Sequence, residues 1–230
     1  MVDGLMAKDS QELRFSTTAA QGEVSALLDR SDDCRSLMVL GHGSGSNMHV
    51  PFISGLSDAL VQGGVATFRY EFPYSERDDF VPYSDMEMDP PEILLATVRS
   101  AVATAAASAP DLALFAGGHS VSGLMTSVAD SESALPNLRG LILLGFPLKG
   151  DMEQAAHFAN VTHPMLFVQG TEDSLGNSDE IKRVVDGIGP EAALHFVESA
   201  GHGFSIPGRP DQDVYTEMAR TVTNWISQLI

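Results

Sequence analysis

One cysteine, Cys34, stands alone among 230 residues. No intrachain disulfide can form from it, and no cysteine cluster is available to hold zinc. Lysine is nearly as scarce, supplied by Lys8, Lys149 and Lys182 alone. With 31 acidic against 13 basic residues, the formal charge is −18. A field of that sign repels phosphate backbones and anionic lipid surfaces, so neither nucleic acid nor a membrane surface is an expected partner. Neutral or cationic small molecules are admitted more readily. Solubility, or adaptation to a salty interior where self-repulsion is screened, accounts for the charge without any specific partner. The chain also lacks an apolar run long enough to span a bilayer. Residues 1–16 carry Asp3 and no uninterrupted apolar core, which does not read as a secretory signal. Together with the lone thiol, this makes the cytoplasm the expected location.

What is present is ordinary globular composition, 43% hydrophobic and 19% charged. That is enough to bury one substantial core, and a single domain over residues 1–230 is expected. Short apolar, β-branched runs alternate with longer helical patterns, the signature of an α/β chain: a mostly parallel twisted sheet with helices on both faces. The expected buried strands are 36–40, 65–70, 112–116, 140–144, 165–169 and 194–197. Helices are expected over 51–62, 91–108, 121–130, 179–187 and 211–229, the last with Val214, Met218, Val222 and Ile226 in helical spacing. Segments 12–17 and 23–28 look like an antiparallel edge pair joined at Gln21-Gly22. Residues 71–90, with Phe72, Pro73, Tyr74, Phe80, Pro82 and Tyr83 among many acids, have no period and read as a long loop. Such a loop is either a wall on the substrate side or a tolerated surface excursion.

Three strand ends carry chemistry. Gly118-His119-Ser120-Val121-Ser122-Gly123 lies between an expected strand and an expected helix, the setting of a nucleophile elbow. The usual form is G-x-S-x-G, and Ser122 stands where its last glycine belongs. Gln169-Gly170-Thr171-Glu172-Asp173 follows the penultimate strand and Gly201-His202-Gly203-Phe204 the last. The order is therefore serine, aspartate, histidine, on strand ends that a parallel sheet gathers on one rim. A serine hydroxyl is a poor nucleophile until an imidazole can take its proton, and a carboxylate on the far ring nitrogen fixes the tautomer. Ser120, His202 and Asp173 fit these roles, with Glu172 and Asp179 as rivals for the carboxylate.

After the strand ending at Leu40 comes Gly41-His42-Gly43-Ser44-Gly45-Ser46, a glycine-rich loop whose amides can face a developing oxyanion. The N–H of Ser44 and the N–H of Val121 are the expected donors. The same loop could be a plain turn or a phosphate cradle, but neither a G-K-[ST] nor a G-x-G-x-x-G pattern is present. His42, His49, His119 and His202 lie on loops without a metal-binding spacing, so no metal and no cofactor is expected.

These motifs resemble small proteins of the α/β-hydrolase fold related to dienelactone hydrolases, including testis-expressed and chromatin-complex homologues of animals. The likeness covers nearly the whole chain. It rests on the loop at Gly41, on Phe68-Arg69-Tyr70-Glu71-Phe72-Pro73-Tyr74, on the elbow at Ser120, on Leu144-Gly145-Phe146-Pro147-Leu148 and on the segments holding Asp173 and His202. The resemblance implies a catalytic triad of Ser120, Asp173 and His202. His119 departs from the lysine common at that place in the group, and Ser122 from the glycine. Dienelactone hydrolases proper use a cysteine nucleophile, and Cys34 is in the wrong place to be one.

The short connection between Phe146 and His163 leaves no room for a cap domain. An open site is therefore expected, lined by Tyr74, Phe80 and Phe204 and suited to small soluble esters. His42 is a further candidate contact, or a support of the oxyanion loop. The function expected is that of a serine hydrolase cleaving a small carboxylic ester or thioester through an acyl-enzyme. The alternatives are a non-catalytic binding or scaffold protein on the same fold, or an acyltransferase using the same triad. A homodimer is left open.

Overall fold

In a computed structural model, residues 8–83, 87–148 and 152–230 are described below. Parts of the N-terminal stretch, of the 71–90 loop and of the 146–163 connection lie outside the described residues. Eight strands form one sheet: β1 (Asp9–Thr18), β2 (Gly22–Arg30), β3 (Ser36–Gly41), β4 (Val65–Tyr70), β5 (Ala113–His119), β6 (Leu138–Leu144), β7 (Met165–Gly170) and β8 (Ala192–Val197). Their order is β1-β2-β4-β3-β5-β6-β7-β8. β1 and β2 form the expected antiparallel pair, β2 runs antiparallel to β4, and every later pairing is parallel.

Among the described residues five α-helices accompany the sheet: α1 (Pro51–Gln62), α2 (Pro91–Ser108), α3 (Val121–Glu132), α4 (Ser178–Ile188) and α5 (Asp211–Ile226). Each of α1 and α2 opens on a proline, whose fixed φ suits the first turn and whose missing N–H is not needed there. Alternation along β3 divides the core between the two faces of the sheet. Leu37 and Val39 join Leu94, Val98 and Val102 of α2 and Ile181 of α4. Met38 and Leu40 join Ile53, Leu56 and Leu60 of α1 and Val214, Met218 and Val222 of α5. With both faces covered, β3, β4 and β7 are buried throughout, so β3 and β7 read as largely apolar runs and even Thr67 and Arg69 of β4 are buried.

Two differences from the expected elements bear on the site. β5 does not stop at Ala116: Gly117 and Gly118 continue the ladder to β3 and β6, opposite Leu40 and Gly41 on one side and Ile142 and Leu143 on the other. Close strand approach there overrides the poor β-propensity of glycine. The loop expected over 71–90 also has structure at its start. Pro73–Glu76 is a 3-10 turn with Tyr74 and Ser75 buried, so this part belongs to the core and is not a surface excursion. Between β6 and β7 the connection carries a 3-10 helix, Met152–Asn160, and among the described residues no separate cap domain. Among the described residues, no helix is long and apolar enough to cross a membrane.

Candidate active site

The carboxyl ends of β3, β5, β7 and β8 meet on one rim, and the sequence motifs sit there. Ser120 is the hinge between β5 and α3, with φ 55° and ψ −120°. For a non-glycine residue this backbone costs about 1–3 kcal/mol, so the surroundings must impose it. Its N–H donates to the Leu144 carbonyl at 2.9 Å, and its own carbonyl accepts from Leu124 N–H at 3.1 Å. Close packing does the rest. A Cβ on Gly118 would stand 2.3 Å from the Gly41 carbonyl oxygen, and one on Gly123 would stand 2.9 Å from the Gly118 carbonyl oxygen. The elbow thus needs its later glycine at 123, not at 122. Ser122 is fully buried, its hydroxyl donating to the His119 carbonyl at 2.9 Å. Its side chain fits because Gly41 opposite has none: a Cβ there would lie 2.5 Å from that of Ser122.

Ser120 Oγ lies 3.0 Å from His202 Nε2, and His202 Nδ1 lies 2.8 Å from Asp173 Oδ2. The carboxylate is itself fixed. Oδ2 also accepts from Gln169 Nε2 at 2.7 Å, and Oδ1 accepts the N–H groups of Leu175 and Gly176 at 2.7 and 3.2 Å. Glu172 and Asp179 are exposed, and it is Asp173 that accepts the hydrogen bond from the imidazole. The Asp173 side chain is fully buried and that of His202 is 20% exposed, so the imidazole spans from the interior to the pocket.

That pocket has a volume of about 330 Å³ and contains Ser120, His202, Ser44 and His119, with Val50, Phe52 and Leu175 as apolar wall. Val121 is the first residue of α3, so its N–H has no carbonyl four residues back within the helix to bond. A larger groove, about 640 Å³, lies between the β1–β2 hairpin and residues 47–49 and holds no member of the serine, histidine and aspartate trio. Among the described residues, no group of three or more His, Cys, Asp or Glu side chains is placed to hold a metal ion.

The sequence profile of the family described as "Alpha/beta hydrolase domain" matches residues 34–229. The chain belongs to the alpha/beta hydrolase family. Solved alpha/beta hydrolases share its fold at low identity. A dienelactone hydrolase from Anabaena variabilis is 19% identical with a TM-score of 0.73, over 96% of this chain and 99% of that one. A serine hydrolase without a lid from Xanthomonas campestris is 19% identical with a TM-score of 0.70, over 97% and 98%. The esterase domain of a Rhodothermus marinus protein is 13% identical with a TM-score of 0.71, over 96% and 98%.

Within this alpha/beta hydrolase, the expected substrate contacts are corrected. Phe204 is fully buried, its ring stacked on Phe52 at 5.3 Å and edge-on to His119 at 6.2 Å, so it backs the wall without lining it. Tyr74 is fully buried too, stacked on Phe72 at 5.9 Å, with Phe80 against its outer side at 6.0 Å. His42 has no exposed surface. Its Nδ1 donates to the Gly43 carbonyl at 2.9 Å, and its Nε2 accepts Phe72 N–H at 3.2 Å. His42 and Tyr74 lose access because the aromatic segment after β4 packs against the loop that follows β3, and Phe204 because its ring stacks on Phe52 of α1.

Four residues that sequence reasoning missed take their place in this alpha/beta hydrolase. Phe52 and Leu175 form apolar wall, and Tyr83, 73% exposed, stands at the mouth with its N–H on the Gly45 carbonyl. His119 is the fourth. Its Nε2 donates to the His202 carbonyl at 2.8 Å, and the two rings lie 4.8 Å apart. Burial first, and then the neighbouring His202, lower its pKa from 6.5 to about 4, so this ring is neutral at pH 7. Nearness in the sequence to Ser120 and Asp173 is the one signal that could have found His119 and Leu175.

Proposed function

We propose that this protein is a serine hydrolase that cleaves a small, uncharged carboxylic ester or thioester through an acyl-enzyme. The observation that carries this reading is the chain of contacts from Asp173 through His202 to Ser120, 2.8 and 3.0 Å, ending in a pocket. His202 takes the Ser120 proton as Oγ attacks the carbonyl carbon. The resulting oxyanion is met by the N–H groups of Ser44 and Val121. The imidazolium, stabilised by Asp173, gives its proton to the departing alcohol or thiol as the acyl bond to it breaks. Water, deprotonated by the same imidazole, then attacks the acyl-serine, and Ser120 leaves with the returned proton. The walls favour a small neutral substrate: among the described residues no Asp, Glu, Lys or Arg lines the pocket, and about 330 Å³ is near the small end of ligand sites.

A fluorophosphonate probe should label Ser120 in the native protein and fail on Ser120→Ala. On a panel of esters, that substitution should lower the rate by at least about 10⁴-fold. Absence of labelling in demonstrably folded protein would sink the hydrolase reading and return the chain to a binding role. Preferential release of a new ester when an alcohol is added would make it an acyltransferase.

A further inference from the structure

We propose that Tyr74 is a positioning residue for the oxyanion hole: its hydroxyl holds the Gly43 carbonyl inward and thereby turns the Ser44 N–H toward Ser120. This rests on the hydrolase reading and assigns to Tyr74 a role that does not touch substrate. Tyr74 Oη donates to the Gly43 carbonyl at 2.9 Å, beside the His42 Nδ1 donor at the same distance. Both lone pairs of that oxygen are thus engaged on the buried side of the loop. In a trans peptide the carbonyl and the following N–H point in opposite directions. With the Gly43 oxygen fixed toward Tyr74, the Ser44 N–H must face away from it, to the side where Gly43, Ser44 and Ser120 line one pocket. The peptide is close enough to matter. A Cβ on Gly43 would lie 3.4 Å from Ser120 Cβ and 2.8 Å from His119 Nδ1, so only glycine lets this peptide come so near the nucleophile.

The tyrosine is built to hold one geometry. Its own N–H donates to Asp89 Oδ2 at 2.7 Å, and Asp89 is paired with Arg77 at 2.7 Å. Its ring is stacked on Phe72 and edge-on to His42 at 5.7 Å. Burial, reinforced by the charges of Glu71 and Asp89, pushes the phenol pKa upward, so the hydroxyl keeps its proton and remains a donor. The far end of the same loop is clamped separately. Arg69 donates to the Met48 carbonyl at 2.7 Å, and Glu71 accepts Met48 N–H at 3.1 Å. In the segment between, Tyr83 N–H bonds the Gly45 carbonyl, and the Gly43 carbonyl is held by Tyr74 and His42.

The test is Tyr74→Phe, which removes one oxygen and keeps the ring. Rates are normalised to sites titrated with a fluorophosphonate, so that unfolded molecules are not counted. We expect kcat to fall about tenfold or more with KM within about twofold, less than the 10²- to 10³-fold loss of a donor itself. Affinity for an aryl boronic acid, which forms an anionic tetrahedral adduct on Ser120, should weaken by a similar factor. Phe80, expected to line the site, is not among the residues around the pocket and packs instead on the Tyr74 ring at 6.0 Å; Phe80→Leu removes that packing but no bond to Gly43, and should lower thermal stability while leaving kcat in place. Unchanged kcat in Tyr74→Phe, a rise in KM alone, or an equal kcat loss in Phe80→Leu would each overturn the proposal. Folded wild-type protein that the probe does not label would overturn the hydrolase reading and this inference with it. Labelled wild type with a fully active Tyr74→Phe overturns this inference alone.

Discussion

The two halves of the pocket rim are positioned by different physics. On the elbow side, volume sets the geometry: Gly41, Gly118 and Gly123 leave no space for a Cβ, and Ser122 fills the gap above Gly41. On the side of the loop after β3, residues 42–48 are held by hydrogen bonds donated by His42, Arg69 and Tyr74 and by one that Glu71 accepts. Steric positioning involves no titratable group and tolerates no added atom. Polar positioning tolerates small changes of shape, but each removed partner leaves a buried group unsatisfied. A serine that must hold an unfavourable backbone is suited to the first kind. An amide that must point one way is suited to the second.

The largest break in this contrast should come from Gly118→Ala. Its Cβ would meet the Gly41 carbonyl oxygen at 2.3 Å, at a φ of +137° that side chains rarely adopt. A loss of about 3 kcal/mol or more is expected by chemical denaturation. A loss under 1 kcal/mol would mean that the elbow can relax and is not held by volume. On the polar side, Arg69→Met keeps bulk and removes charge. It leaves Asp29, bonded to Arg69 at 2.7 Å and buried, with Lys8 at 3.6 Å as its remaining cation. A destabilisation of about 3 kcal/mol is expected, together with slower ester turnover as Met48 loses its donor. A neutral or stabilising outcome would show that this side, too, depends on packing alone.

The smallest effect belongs to His119, which lies between the halves. Its folded pKa of about 4 is below the ordinary 6.5, so the unfolded chain binds the proton first as pH falls. Its contribution is therefore complete above pH 6.5 and is lost as pH drops toward 4. Because the ring is only partly buried, about 1 kcal/mol of the stability lost between pH 7 and pH 5 is assigned to it. Urea unfolding at those two pH values should give a shallower dependence for His119→Gln. An identical slope would remove His119 from the account.

Much of the fold was legible because its signals are local. Both proline-led helices run over the expected residues, and the antiparallel edge pair forms around Gln21-Gly22 as its turn chemistry suggests. The contacts among Ser120, Asp173 and His202 were foreseeable since each follows a strand, and parallel strands deliver their carboxyl ends to one rim. The extension of β5 to His119 was not, because only the neighbours β3 and β6 make two consecutive glycines favourable there. The pocket walls failed for a related reason. Aromatic character in Tyr74 and Phe204 says that they bury, but not on which side of a wall.

By itself the sequence determined the order of elements, the sheet's two covered faces and the placing of the segments that hold Ser120, Asp173 and His202, because periodicity and turn residues act over a few positions. Tertiary structure alone decided that Ser122 is accommodated by Gly41, that Tyr74 reaches the Gly43 carbonyl and not the pocket, and that His119 is a neutral neighbour of His202. Each of these depends on atoms about 30 to 80 positions apart coming within contact distance, and only the packed chain specifies such distances.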